Sequence, residues 1–234
     1  MSDKLYDKNG KLQYKKIPLL TYLTEEEFSL MNSNFEVLNF KKGEHIFRAG
    51  DPAKKMFIIY DGFMKIMMNL SDGREQLLYL YKKGDFVGGL NLLSGDHYVY
   101  NGIALKDSIV ITISHHDFTN VLLKNNAFLI SVLEKSYERI RRSEALVDRL
   151  SVINADLKVA KVLLNLIKFH GTKTDEGIII NLHINQEELG SFSGITRETM
   201  SRKLRQFEEM GIIKILSRKQ ILITDIKKLA EYSI

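Results

Sequence analysis

The chain of 234 residues has no cysteine. That one absence removes disulfides, thiolate zinc sites, cysteine-ligated iron–sulfur clusters and thiol redox sensing, so any redox sensing would need a borrowed cofactor. Long apolar runs are missing too. The opening MSDKLYDKNGKLQYKK is polar, and no later run reaches bilayer length. A soluble cytoplasmic protein with no membrane contact is expected. No serine or cysteine nucleophile motif and no phosphate-cradling glycine loop is present. His45, His97 and His115 are far apart in sequence, with no closely spaced histidine pair on one strand face. Metal-dependent catalysis on a β-sandwich needs converging imidazoles and a carboxylate, so no enzyme is expected.

What is present is a 44% hydrophobic composition, enough for two folded cores, and a basic excess of five charges. There are 21 basic against 19 acidic residues up to Asn154, and 13 against 10 in the shorter remainder. The basic density is higher in the C-terminal part, which suits a polyanion partner.

The C-terminal stretch Asn185–Gly211, NQEELGSFSGITRETMSRKLRQFEEMG, reads as two short helices about a glycine turn. Asn185 and Glu188 form a capping box, with Ile184 and Leu189 as its staple. Thr196 caps the second helix between Ile195 and Met200. Gly190 allows close helix approach, and Gly194 stands where the turn needs positive φ. On the second helix Met200, Leu204 and Phe207 point inward, leaving Arg197, Glu198, Ser201, Arg202 and Arg205 on the other side. This is how a helix-turn-helix presents a recognition helix to the DNA major groove. Ile178–Ile184 precedes it as a strand, after a loop from His170 to Gly177. Ile212–Leu216 and Gln220–Thr224 then make a hairpin with the basic tip Ser217-Arg218-Lys219, and Asp225–Tyr232 closes as a helix.

Upstream, residues 1–16 read as a flexible or loosely docked leader, and Thr24 caps a short helix opened by three glutamates. Residues 35–114 carry short β-type runs, among them VLNF, HIFRAG, FVGGLNLL and GIALKDSIVITIS, with Asp61-Gly62 and Asp72-Gly73 as turns. This pattern predicts an antiparallel jelly roll. From Asn126 a long helix follows. Leu129, Leu133, Ser136, Ile140, Ser143, Val147, Leu150 and Asn154 recur at alternating spacings of four and three, a heptad seam that predicts a homodimer, the alternative being that the stripe packs on the chain's own sheet. Its charged exterior includes Glu134, Lys135, Glu138, Arg139, Arg141, Arg142 and Glu144. A break at Asn154 gives an α+β chain in three parts: leader and jelly roll, 1–125; dimerisation helix and hinge, 126–154; winged helix-turn-helix, 155–234.

This order resembles the Crp/Fnr family of bacterial transcription regulators over nearly the whole chain. Ile195-Thr196-Arg197-Glu198-Thr199-Met200-Ser201-Arg202 looks like that family's recognition-helix signature, and Lys82-Lys83-Gly84-Asp85-Phe86-Val87-Gly88 resembles the approach to its effector pocket. The resemblance implies that Arg197, Glu198 and Arg202 read bases, with Ser201 matching a base-reading serine of the Fnr branch. Arginine to guanine and glutamate to cytosine are sound pairings. Thr199, Lys203, Arg205, Arg218 and Lys219 are then expected at phosphates. The resemblance also implies a palindromic operator with a guanine-containing half-site of the TGTGA or TTGAT kind, and RNA polymerase as a partner. On an isolated helix, Arg202 and Arg205 could instead pair with Glu198, Glu208 or Glu209.

The sensor departs from the cyclic-AMP-binding branch. Where that branch has a glutamate after the glycine matching Gly88, this chain has Gly89, and Ser94–Asn101 offers no arginine. Burying a nucleotide phosphate without a cation is costly, so cyclic AMP is disfavoured. A pocket lined by Phe86, Gly88, Gly89, Leu90, Leu92, Tyr98, Tyr100, Ser143 and Glu144 is expected, for a small aromatic or acidic metabolite or for no effector at all. Haem stays open, with His97, His115, His116 and Met68 as candidate axial ligands. The competing functions are a cupin-like metal-dependent enzyme and a signalling module without DNA binding.

Overall fold

The computed structural model describes residues 5–8, 12–31 and 36–233, without the side chains of Arg149 and Phe169. The leader's residues 1–4 and 9–11 lie outside the described residues. Compactness divides the chain into two units, Met1–Met68 with Tyr79–Arg141 and Asn69–Leu78 with Arg142–Ile234.

The first unit is built on two four-stranded antiparallel sheets. One has the order β1 (Val37–Phe40), β8 (Ser108–Ser114), β3 (Lys55–Asp61), β6 (Phe86–Val87). The other has the order β2 (His45–Phe47), β7 (Asn101–Ala104), β4 (Phe63–Asn69), β5 (Glu75–Lys82). The expected jelly roll is therefore present. β3 and β8 are buried almost end to end, as β-branched and aromatic runs between two covered faces should be. They pair from Lys55↔Ser114 to Asp61↔Ile109.

Two readings need correction. FVGGLNLL is not one strand: Gly88 takes φ +85°, which ends β6 and turns the chain into helix α2 (Gly89–Ser94). Nor is the leader loosely docked. Leu5, Tyr14 and Ile17 are buried in one core cluster with Phe118 and Phe128, and Tyr14 stacks on Phe28 at 4.0 Å. These anchors hold down a segment whose average composition is polar.

Helix α1 (Glu25–Leu30) carries a full capping box between Thr24 and Glu27. The Thr24 backbone N–H, then Asn125, whose amide donates to both carboxylate oxygens at 2.9 Å, hold the Glu27 carboxyl below its ordinary pKa. Helix α3 (His115–Asn120), capped by Ser114, leads to the long α4 (Asn126–Ser151).

α4 has two differently occupied sides. Phe128, Ser131, Val132 and Leu146 are buried. Ile130, Leu133, Tyr137, Ile140 and Val147 form an exposed apolar stripe at spacings of three, four, three and seven. The residues expected at the seam divide between the two sides. Leu133, Ile140 and Val147 are on the stripe, and Leu150 is at its margin. Leu129 is partly buried, and the Ser136 hydroxyl bonds back to the Val132 carbonyl at 2.7 Å. The stripe's alternate positions are Ile130 and Tyr137, one residue beyond those the spacing alone selects.

In the second unit α4 ends at Ser151 and α5 (Ala155–His170) restarts, with the Asn154 side chain accepting from Asp156 N at 2.8 Å. Then follow β9 (Gly171–Thr174), β10 (Gly177–Asn181), α6 (Gln186–Ser193), α7 (Arg197–Glu209), β11 (Ile213–Ser217), β12 (Gln220–Ile223) and α8 (Ile226–Glu231). The sheet order is β11-β12-β10-β9. Residues 171–174, read as loop, form an edge strand: all four are exposed, so hydrophobic alternation never marked them. In the same unit the Ser191 hydroxyl donates to the Glu75 carbonyl at 2.8 Å and accepts from Leu77 N at 2.9 Å. The Gln76 amide donates to the Ser191 carbonyl.

Candidate nucleic-acid interface and ligand cavity

α6 and α7 form as their caps dictate. Asn185 and Glu188 exchange bonds at 2.9 and 2.8 Å, and Thr196 Oγ1 accepts from Thr199 N at 3.2 Å. Gly194 adopts φ +68°. A Cβ on Gly190 would lie 2.9 Å from the Ile195 carbonyl oxygen, so both glycines are required by the turn. The buried ammonium of Lys158 donates to the Gly194 carbonyl at 3.2 Å and the Leu150 carbonyl at 3.5 Å, and so ties the turn to the end of α4.

Met200, Leu204 and Phe207 are essentially inaccessible, which turns the opposite face of α7 outward. Arg197, Glu198, Arg202 and Arg205 are exposed there, and Glu198, Ser201, Arg202 and Arg205 line one open groove along the helix. Among the described residues no carboxylate lies within ion-pairing distance of Arg197, Arg202 or Arg205. Glu208 is committed elsewhere, accepting from Ile215 N at 2.7 Å at the base of the hairpin. The Glu198 carboxyl is held below its ordinary pKa by its own backbone N–H, then by Thr196 and the charge of Arg197. It therefore stays an acceptor at neutral pH. Arg218 and Lys219 are exposed at the β11–β12 tip.

Lys203 does not join them. Its ammonium pairs with the Asp156 carboxylate on α5 at 2.8 Å, and its side chain is only 18% exposed. It stands three residues after Met200 and one before Leu204, on the flank of the inward stripe that faces α5, and this corrects its expected place at a phosphate. Thr199 is half-exposed, and its hydroxyl accepts from Thr196 at 3.1 Å. Lys203→Met should lower the stability of the second unit by about 1–3 kcal/mol, between the exposed and fully buried limits for an ion pair. It should leave the dependence of DNA affinity on salt unchanged. Denaturant melts and binding isotherms at several salt concentrations check both.

Within the first unit a cavity of about 250 Å³ opens among Phe47, Ile66, Val87, Gly88, Leu90, Asn91, Ser94, Tyr98, Val99, Tyr100 and Arg139. Of the expected lining, Gly88, Leu90, Tyr98 and Tyr100 are there. Phe86, Gly89 and Leu92 are packed into the core instead; a Cβ on Gly89 would already meet the Met56 sulfur at 2.9 Å. Ser143 and Glu144 belong to the second unit; the α4 residue of the first unit in the lining is Arg139, one turn earlier. The cavity therefore has a cation after all, supplied by α4 and not by Ser94–Asn101. One of the two objections to an anionic ligand is gone; the missing carboxylate beyond Gly88 stands. Tyr98 is a wall element, its hydroxyl donating to the Lys55 carbonyl at 2.6 Å and accepting from Lys55 N at 3.2 Å, and burial pushes its pKa up. None of His97, His115, His116 or Met68 lines the cavity.

Among the described residues there is no group of three or more potential metal ligands, and no helix is long and apolar enough to cross a membrane.

The family model of the cyclic nucleotide-binding domain matches residues 37–125, and that of the Crp-like helix-turn-helix domain matches residues 157–232. The chain is 23% identical over 202 residues to the anaerobic regulatory protein of Bacillus subtilis, covering 86% of this chain and 85% of that one. It is 25% identical over 200 residues to the CRP-like cAMP-activated global transcriptional regulator of Mycobacterium tuberculosis, covering 86% and 89%. Among solved structures, FixK2 from Bradyrhizobium japonicum superposes with a TM-score of 0.75 at 22% identity, over 86% of this chain and 98% of that one. At that identity the superposition speaks for the fold alone.

Proposed function

Because the chain belongs to the Crp/Fnr family of DNA-binding transcription regulators, we propose that it is a homodimer reading a palindromic operator under the control of a small molecule in the Arg139 cavity. The observation that carries the reading is α7 itself: a doubly capped helix with a buried stripe behind it and three arginines, none ion-paired to a carboxylate, in front. Arg197, Glu198, Ser201 and Arg202 are the base readers. Arg205, Arg218, Lys219 and the Thr199 hydroxyl serve the phosphates. The functional parts are a sensor over residues 1–125, a dimerisation helix and hinge over 126–154, and a DNA-binding domain over 155–234.

The exposed stripe on α4 supports the dimer, since five large apolar side chains in one helical row are costly to leave in water. A ligand that favours one packing of that helix would shift a two-state equilibrium, and the restart at Asn154 carries the shift to α7. An iron–sulfur signal is excluded by composition. Haem has none of its expected axial ligands, His97, His115, His116 and Met68, in the cavity wall. A dimer seated beside a promoter would meet RNA polymerase, and the operator's position sets activation or repression.

Selection from randomised DNA tests the reading. Enriched sequences should carry two inverted, guanine-containing half-sites about one helical turn, roughly 34–36 Å, apart. Enrichment of a single half-site, or of none, would overturn it.

A further inference from the structure

Lys158, near the start of α5, is only 8% exposed, although burying an ammonium is costly unless its hydrogen bonds are met. Backbone meets them. Its Nζ donates to the carbonyl of Leu150, in the last turn of α4, and to that of Gly194, the C-cap of α6. Both acceptors stand at helix C-termini, where the last carbonyls lack partners in their own helix and carry partial negative charge. One cation serves the two together.

Two further contacts join the same elements. The Leu150 side chain lies so close under the turn that a Cβ on Gly194 would come within 2.6 Å of its Cδ2. Three residues along α5 from Lys158, and so on the same face, the Lys161 ammonium pairs with the Asp148 carboxylate of α4 at 2.6 Å. The covalent joint offers less. Residues 152–154 belong to no helix or strand, and Ile153 is 98% exposed. All these residues fall in the second unit. The last turns of α4 are therefore held against the helix-turn-helix by two lysines of α5 and by Leu150, not by the linker.

We propose that Lys158 is the positioning residue that fixes the end of the dimer helix against the DNA-reading turn, and so sets the half-site spacing the dimer accepts. It touches no DNA. It acts through Gly194, three residues before α7 begins at Arg197. The proposal rests on the reading of α4 as the dimer seam and of α7 as the base reader. Two linked heads gain affinity only where the geometry lets both engage at once. One added base pair moves a half-site by about 3.4 Å and turns it by about 35°. A stiff connection rejects that change, and a loose one accepts it.

The test compares the full chain with Lys158→Met and Lys158→Arg on three kinds of duplex: the selected palindrome, the same palindrome with one central base pair added or removed, and a single half-site. The unaltered chain should lose at least about tenfold in affinity on the respaced palindromes. Lys158→Met should lose no more than about threefold on them, with its half-site affinity unchanged. Lys158→Arg, which keeps charge and donors, should restore the discrimination. Lower stability alone would weaken every duplex together and leave the spacing preference as it was.

Hydrogen exchange without DNA gives a second readout. In Lys158→Met the amides of residues 146–151 should exchange at least about tenfold faster, with those of α6 and α7 at their former rate. An unchanged spacing preference, a half-site affinity that falls as far as the palindrome's, or unchanged exchange at 146–151 overturns the anchor. An unaltered chain that ignores spacing overturns the dimeric reading of DNA instead, and the exchange rates then decide on Lys158. Should Lys158→Met fail to fold, Lys161→Met takes its place and should relax the spacing preference in the same direction by a smaller factor; no relaxation there overturns the proposal.

Discussion

Ile140→Asp is expected to turn a two-chain particle into a single chain of 27.0 kDa and to abolish tight operator binding. Ile140 is 56% exposed and Val147 67%, on the same outward stripe of α4 as Leu133. Burying side chains of this size in a helix pair stabilises by about 1.5–3 kcal/mol each, and in a symmetric pair each residue contributes twice. Aspartate forfeits both contributions and sets two carboxylates opposite each other in an apolar seam. The inward side of α4, carrying Phe128, Val132 and Leu146, is untouched, so the monomer should stay folded. Two linked recognition helices gain on the order of 10²–10⁴ in apparent affinity over one, and that factor is what the variant should lose on a palindromic operator. Light scattering reads the mass, and a mobility shift reads the affinity. A variant that stays dimeric at micromolar concentration would place the dimer contact elsewhere. Val147→Asp, two turns on, should behave alike, whereas Leu129→Asp, on the partly buried side, should lower folding stability more than dimer affinity.

That contrast marks where the sequence was legible and where it was not. A heptad count finds a stripe but cannot say which of two neighbouring rows the sheets will cover. Leu129 and Ile130 are equally apolar, and the choice was made by Phe128 and Val132 entering the core of the first unit. Arg139 was misjudged for the same reason: a charged residue in a charged stretch reads as solvated, and only the sheets folding against it turn it toward the cavity. Lys203 is the corresponding case on α7. Arg197 and Lys203 both flank the inward stripe, and the flank that meets Asp156 of α5 is decided by tertiary packing.

The caps, the glycine turn and the hairpin of the second unit were legible because their causes are local. Asn185, Glu188 and Thr196 satisfy orphan amides of their own helices, and Gly194 supplies a backbone conformation that neighbouring residue types resist. FVGGLNLL failed in between. Its apolar run suits a strand, and the left-handed Gly88 that stops it leaves no mark beyond a glycine pair. The cavity was half visible, since Gly88, Leu90, Tyr98 and Tyr100 come from one stretch of chain and its charge comes from α4.

Arg197→Ala and Arg202→Ala should each weaken the cognate operator by about 1–3 kcal/mol, roughly 5–150-fold per half-site, while leaving random DNA nearly unaffected. The expectation follows from where the guanidinium groups are. Both are exposed on α7, Arg197 at its first residue and Arg202 in the groove with Glu198 and Ser201, and neither gives up a carboxylate partner to bind. A dimer presents two copies, so the loss on a symmetric operator should approach twice that on a site with one consensus half. Phosphate-facing residues should behave in the opposite way. Arg218→Ala at the hairpin tip should weaken cognate and random DNA alike and make the slope of log K against log salt shallower by about one per lost contact. Lys203→Met should do neither, because its ammonium already belongs to Asp156. Titrating all four variants against cognate and random duplexes at three salt concentrations separates the classes. If Arg197→Ala and Arg202→Ala lose affinity equally for both duplexes with a shallower slope, the two arginines are phosphate contacts, and base reading on α7 must fall to Glu198 and Ser201.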